Sequence, residues 1–155
     1  MLNLKQGKKE RKKERREILS GYILHGSGLN KRAVNIAFRE CVLLYLLKGS
    51  GIFIDHKKRK FHLRPGDLII RQPETKTTII RETPEKWLEF AARIPRDLYR
   101  LMISQGIIDD DITLLHPGLD KRLFSGMDTF INMLKFANKG VLRVCKFFCV
   151  NGHSS

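Results

Sequence analysis

Between residues 36 and 94 the chain passes through six short apolar segments with no helix-length periodic stretch between them, and this spacing restricts the fold more than any other feature. The first covers about 36–47 and is rich in Val, Ile, Leu and Phe, with Gly49 and Gly51 marking a turn behind it. The others cover 51–55, 60–63, 68–71, 76–81 and 87–94. Between them stand a charged tip (DHKKRK, 55–60) and turns written RPGD (64–67), QPET and TPEK. Proline presets φ in such turns and glycine takes the strained position. Short β-branched and aromatic runs separated by turns build an antiparallel sandwich or barrel. A parallel doubly wound sheet would need a helix in each gap.

After Pro95 the period changes. RDLYRLMISQG (96–106) reads as a helix that begins behind a proline and stops at Gly106. Over 119–138, Leu119, Leu123, Met127, Phe130, Ile131 and Leu134 recur at helical spacing, and Gly126 offers a place to divide the stretch in two. Such a stripe suits core packing and equally suits pairing of subunits.

Charge is unevenly distributed. Of 155 residues, 30 are Lys or Arg against 16 Asp or Glu, a formal +14 that favours polyanionic partners and says nothing of fold. Between residues 5 and 16 eight bases face Glu10 and Glu14, a net +6. No apolar stripe accompanies them, so residues 1–17 read as a solvated basic arm. Its cations Lys8, Lys9, Arg11, Lys12, Lys13, Arg15 and Arg16 are suited to weak, sequence-independent contact with DNA phosphates. The folded unit is expected over 18–138, followed by an atypical tail, 139–155, that has neither helical nor strand period. No segment approaches the ~20 apolar residues of a membrane span, and no apolar run follows the N-terminal charges as in a secretion signal. The expected location is the cytoplasm. Three cysteines without paired spacing do not make a disulfide framework.

The templates of catalysis are missing. Neither a G-x-x-x-x-G-K-[ST] phosphate loop nor G-x-S-x-G occurs. Cys145 and Cys149 have only His153 near them, short of the four ligands of a structural zinc site. No His-x-His exists; His56 sits in the charged tip and His62 beside a turn, both read as solvated. Cys41, inside an apolar strand, reads as a buried small residue. Asp109, Asp110 and Asp111 read as a loop ahead of a helix. The expectation is no metal, no cofactor and no catalytic residue.

One stretch carries family information. Tyr45, Gly49 and Gly51; then Leu63, Pro65, Gly66 and Asp67; then Pro73; then Trp87 with Glu89 follow in order along a hairpin, a Pro-Gly-Asp turn, an apolar strand and a Trp-bearing strand. This series resembles the cupin barrel, and more narrowly the N-terminal effector-binding and dimerisation domain of AraC-type transcription regulators, over about 36–135. The resemblance implies a mostly β fold with C-terminal helices: a cupin-like antiparallel β-barrel or jelly roll followed by two or three α-helices. It also implies a small polar effector, a sugar among the candidates, bound inside the barrel, and a homodimer. Metal-binding cupins carry histidines at positions this chain fills otherwise; Thr77 stands where regulators often keep one. The C-terminal helix-turn-helix pair of such regulators does not fit after Ala137, which leads to the expectation of a truncation ahead of the DNA-binding domain. A stand-alone cupin sugar-binding protein or isomerase is the alternative.

The expected ligand residues follow from strand alternation. Along 87–94 one face is Trp87, Glu89, Ala91 and Arg93, and the other is Leu88, Phe90, Ala92 and Ile94. The second face is apolar and suits helix packing. On the first, Trp87 can stack on a sugar ring and Glu89 can accept hydroxyl hydrogens. Lys48 and Thr77, at neighbouring strand ends, complete the expected set. The same residues also suit a plainer arrangement, with Trp87 in the core or at its rim and Glu89 paired with Arg81 or Arg93.

Overall fold

The computed structural model describes residues 20–26 and 28–137. Nine strands among the described residues form two antiparallel sheets. They are β1 (Ser20–His25), β2 (Arg32–Ile36), β3 (Cys41–Lys48), β4 (Gly51–Ile54), β5 (Lys60–Leu63), β6 (Leu68–Arg71), β7 (Thr77–Arg81), β8 (Leu88–Ile94) and β9 (Leu114–Leu115). Two helices follow the main strand series, α1 (Arg96–Ser104) and α2 (Lys121–Ala137). One sheet has the order β1-β8-β3-β6-β9 and the other β2-β7-β4-β5. The expected fold class holds, and its jelly-roll form is a two-sheet sandwich; the sheets do not close into a barrel.

β3 lies at the centre of the five-stranded sheet, antiparallel to β8 and to β6. Its inner residues Val42, Leu44 and Leu46 and its outer residues Cys41 and Tyr45 are all buried. That double burial explains why CVLLYLL is apolar without alternation. Inside the sandwich, Leu44, Leu46, Phe53, Leu63, Ile69, Ile79 and Trp87 form one cluster. Outside, Cys41, Ile70 and Ile94 pack with Tyr99 of α1. Phe90 and Ala92 pack with Ile131 of α2. The apolar face of β8 therefore meets the helices, as alternation predicts. Each large apolar side chain buried in this way contributes roughly 1.5–3 kcal/mol.

The expected single strand over 36–47 is interrupted. Ile36 ends β2 in one sheet and Cys41 opens β3 in the other. The chain must turn between sheets, and it does so behind a register shift between Ala33 and Ile36 and a positive φ of 51° at Asn35. The sequence reading also lacked β1, β2 and β9. β2 is a short edge strand whose apolar Val34 and Ile36 are exposed, so its sequence does not mark a buried face. Over 119–138 one helix runs unbroken through Gly126. It begins at Asp120, whose carboxylate accepts the Arg122 amide at 2.8 Å. No described helix is long and apolar enough to cross a membrane.

The RPGD turn is a structural anchor. The Gly66 amide donates to the Leu46 carbonyl at 2.7 Å, and the Gly66 carbonyl accepts the Gly118 amide at 3.1 Å. The Tyr45 hydroxyl donates to the Gly118 carbonyl, and Asp67, 1% exposed, bonds His116 at 2.7 Å. Gly66 has φ +93°, and a Cβ there would stand 2.5 Å from the Gly118 backbone. Gly126, by contrast, lies inside α2 with nothing within 4 Å of an added Cβ. Gly66→Ala is therefore expected to lower stability by about 2–4 kcal/mol. Gly126→Ala is expected to raise it by about 0.5–1 kcal/mol through helix propensity. Urea unfolding of both variants checks the pair; two changes of the same sign contradict the account.

Candidate functional site

The space between the sheets is chemically divided. Where β3 and β6 face β4 and β5 it is filled by the apolar cluster. Towards β8 and β7 the inward positions turn polar. Alternation from Ile69 and Ile79 puts Arg71, Thr77 and Arg81 on the inner faces, and alternation from Ala91 does the same for Glu89 and Arg93. Arg71, Thr77, Arg81 and Glu89 are all buried.

Trp87 and Glu89 meet directly. The Trp87 indole Nε1–H donates to Glu89 Oε2 at 2.5 Å, and both residues are closed off, at 0% and 2% exposure. The Arg81 guanidinium lies 5.0 Å from the Trp87 ring centroid, covering a face that a sugar ring would use. Its Nη1 donates to the Asn30 carbonyl at 2.9 Å, while its buried Nε has no hydrogen-bond partner. Among the described residues Glu89 and Arg81 feel each other's charge without forming a salt bridge. Burial pushes the Glu89 carboxyl above the usual carboxylate range, and the Trp87 bond and the charges of Arg81 and Arg71 oppose that rise without cancelling it. Burial likewise lowers the Arg81 guanidinium, against the opposing charge of Glu89.

At the other end of this polar belt, Arg71 Nε donates to Thr77 Oγ1 at 2.7 Å and Nη2 to the Ile36 carbonyl at 3.3 Å. The guanidiniums of Arg71 and Arg93 lie 4.6 and 5.3 Å from the ring of Phe38, which belongs to the crossing between the sheets.

Of the residues expected from sequence, Trp87 and Glu89 are in bonded contact and Thr77 belongs to the same interior through Arg71. Lys48 is exposed at the end of β3, where its backbone pairs with Leu88, and its side chain is not part of the buried set. Sequence reasoning missed Arg71 and Phe38 and gave Arg81 and Arg93 only a pairing role. A period-2 count through LIIR and TTIIR would have turned both terminal arginines inward. The basic residues Lys8, Lys9, Arg11, Lys12, Lys13, Arg15 and Arg16, and the tail with Cys145, Cys149 and His153, lie outside the described residues. Burial pushes the Cys41 thiol up to about 12, which keeps it protonated. Among the described residues no group of three His, Cys, Asp or Glu side chains could hold a metal ion. A separate groove of about 400 Å³ lies between the turn at Gln72–Thr75 and α1. It is an open surface feature, bridged by an Arg96–Glu74 ion pair of 2.7 Å. The buried belt is the stronger candidate, because desolvated charge costs stability and a ligand site is one reason to keep it.

A family model described as the AraC-like ligand binding domain matches residues 35–124, from the end of β2 to the start of α2. The chain belongs to this family. No match is found among curated proteins. Among solved structures this AraC-like domain is similar to ToxT from Vibrio cholerae O395 bound to (E)-4-(8-methylnaphthalen-1-yl)but-3-enoic acid. That likeness has 11% identity and a TM-score of 0.49, and it covers 84% of this chain and 53% of that one. An unsaturated fatty acid-bound wild-type ToxT from strain SCE256 matches at 11% identity and a TM-score of 0.47, over 71% of this chain and 43% of that one. The plu4264 protein of Photorhabdus luminescens matches at 17% identity and a TM-score of 0.39, over 58% and 86%. The chain thus spans about half the length of the first ToxT structure.

The raised Glu89 carboxyl has a consequence for stability. The folded state holds this proton more tightly than the unfolded chain, whose glutamate titrates near ~4.3. Stability from this group is then full below that value and is lost as pH rises through the folded value. Glu89→Gln keeps an acceptor for Trp87 and removes the titration. Urea unfolding between mildly acidic and neutral pH should show a fall for the natural chain that the variant lacks; equal pH slopes contradict the assignment.

Proposed function

We propose that this AraC-like domain is the sensing part of a transcription regulator that acts in the cytoplasm, and that it holds a small polar effector between its sheets by binding alone. The observation that carries this reading is the buried pair of Trp87, just ahead of β8, and Glu89 of β8, beneath Arg81 of β7. Hydrogen-bonding groups placed in a shielded interior are what recognition of a hydroxylated molecule needs: Glu89 accepts its hydroxyl hydrogens and Arg81 donates to its oxygens. Sugars and sugar derivatives fit that chemistry. Thr77 joins the site through Arg71, and Lys48 contributes no more than charge at its outer edge.

A ligand that binds only the folded state raises stability by RT ln(1 + [L]/Kd), about 2.7 kcal/mol at a hundredfold excess over Kd. A thermal-shift panel of sugars, polyols and sugar acids is expected to contain compounds that raise Tm, with the shift lost in Trp87→Leu. A flat response across the whole panel speaks against the sensing role.

Pairing of two copies belongs to the same proposal. α2 buries Ile131 against β8, yet Leu119 just ahead of it and Leu123 and Phe124 in its first turn remain exposed. Apolar side chains grouped this way are suited to meeting their equivalents across a two-fold axis. Sedimentation equilibrium of the full chain should give a dimer that Leu123→Glu weakens; a monomer at all concentrations removes this part.

A further inference from the structure

The donors and acceptors of the belt specify more than polarity. Arg81 is 6% exposed, and its hydrogen-bonding edges are used unequally. Nη1 is engaged by the Asn30 carbonyl, while the buried Nε has no hydrogen-bond partner. Together with Nη2, Nε makes the side-on edge of a guanidinium that fits a carboxylate in two-pronged fashion. Nearby, Glu89 is 2% exposed and engaged only through Oε2 by the Trp87 indole. The two side chains face each other's charge without closing into an ion pair. Arg71 adds positive potential to the same interior.

These groups set conditions on what could lie between them. A neutral sugar gives Arg81 only neutral hydroxyl oxygens, which accept more weakly than a carboxylate does. A simple fatty acid matches the fork but sets an apolar chain against Glu89. A molecule with both a carboxylate and a neighbouring hydroxyl satisfies both. We propose that the effector of this domain is a hydroxylated organic acid, of the sugar-acid type, whose carboxylate is taken by the Nε–Nη2 edge of Arg81 and whose hydroxyl donates to Glu89. The proposal rests on the inter-sheet reading of the site given above. Capture by Arg81 also reaches outward: the same residue holds the segment before β2 through the Asn30 carbonyl and, from its own amide, the Lys31 carbonyl at 2.7 Å. The ligand's carboxylate thus acts on a residue that fixes the entry to β2.

Matched pairs of probes test this on the full chain by titration calorimetry and thermal shift. D-galacturonate is compared with D-galactose and D-gluconate with D-glucitol, and oleate serves as an acid without hydroxyls. The acids are expected to bind roughly tenfold or more tightly than their neutral partners. Arg81→Gln should abolish that preference, and Arg81→Lys, which keeps the charge but not the fork, should restore only part of it. If the Arg81 variants do not fold, the ratio within each pair on the natural chain decides alone. Neutral partners binding as well as the acids, with binding lost in Trp87→Leu, would overturn the acid requirement and leave the sensing site standing. Oleate binding without the hydroxy acids would overturn the role of Glu89. No binding by any probe would overturn this proposal and the inter-sheet reading together.

Discussion

β3 is buried on both of its faces, and most of the architecture depends on that. Its inner leucines meet the four-stranded sheet, while its outer side supports α1 through Cys41 and lies beside the surface that receives α2. Up to its exposed end at Lys48 a strand in that position has no solvent face, so its side chains are held by neighbours on one side or the other. Its two partners, β8 and β6, inherit their registers from it. The inward positions of Glu89, Arg93 and Arg71 are consequences of those registers, because a slip of one residue would turn all three outward.

The polar belt works against this packing. Taking a carboxylate and guanidiniums out of water costs several kcal/mol for each ion, and partial compensation returns only some of it. Here compensation is local and incomplete. Trp87 supplies one hydrogen bond to Glu89, its ring lies beneath Arg81, Thr77 takes Arg71, and Phe38 lies against two guanidiniums. The apolar cluster on the other half of the interior is what makes such a cost tolerable.

Much of the fold was legible in order of residues. The strands from residue 51 to 94, both helices and the apolar helix-facing side of β8 follow from turn residues and periodicity, and the family motifs lie along the same path. What was not legible has specific causes. β2 is a mostly exposed edge strand, so its pairing leaves no mark in the hydrophobic pattern. The break between β2 and β3 is hard to see because no glycine or proline marks it: the chain changes sheets over Ala37–Glu40, where only Arg39 and Glu40 interrupt the apolar residues. The candidate site was legible in half: Trp87 and Glu89 from alternation and resemblance, but not Arg71 or Phe38, which reach the site from β6 and from the crossing. Lys48 sat close in the strand-end reckoning yet is exposed, since the bulge between Leu46 and Lys48 breaks the alternation there.

Local chemistry in the chain determined which segments become strands, where Pro-Gly and Gly-x-Gly turns fall, that two helices follow, and that the inner side of β8 is mixed in character. Those properties depend on neighbours a few residues apart, and they survive without knowledge of the rest. Only the tertiary structure decided that the sheets stay a two-layer sandwich, that the Trp87 ring lies under Arg81, and that the Arg81 fork and Glu89 share one interior without joining. Such relations link residues on different strands across a gap between sheets, and they are set by sheet order and register, which no local pattern encodes.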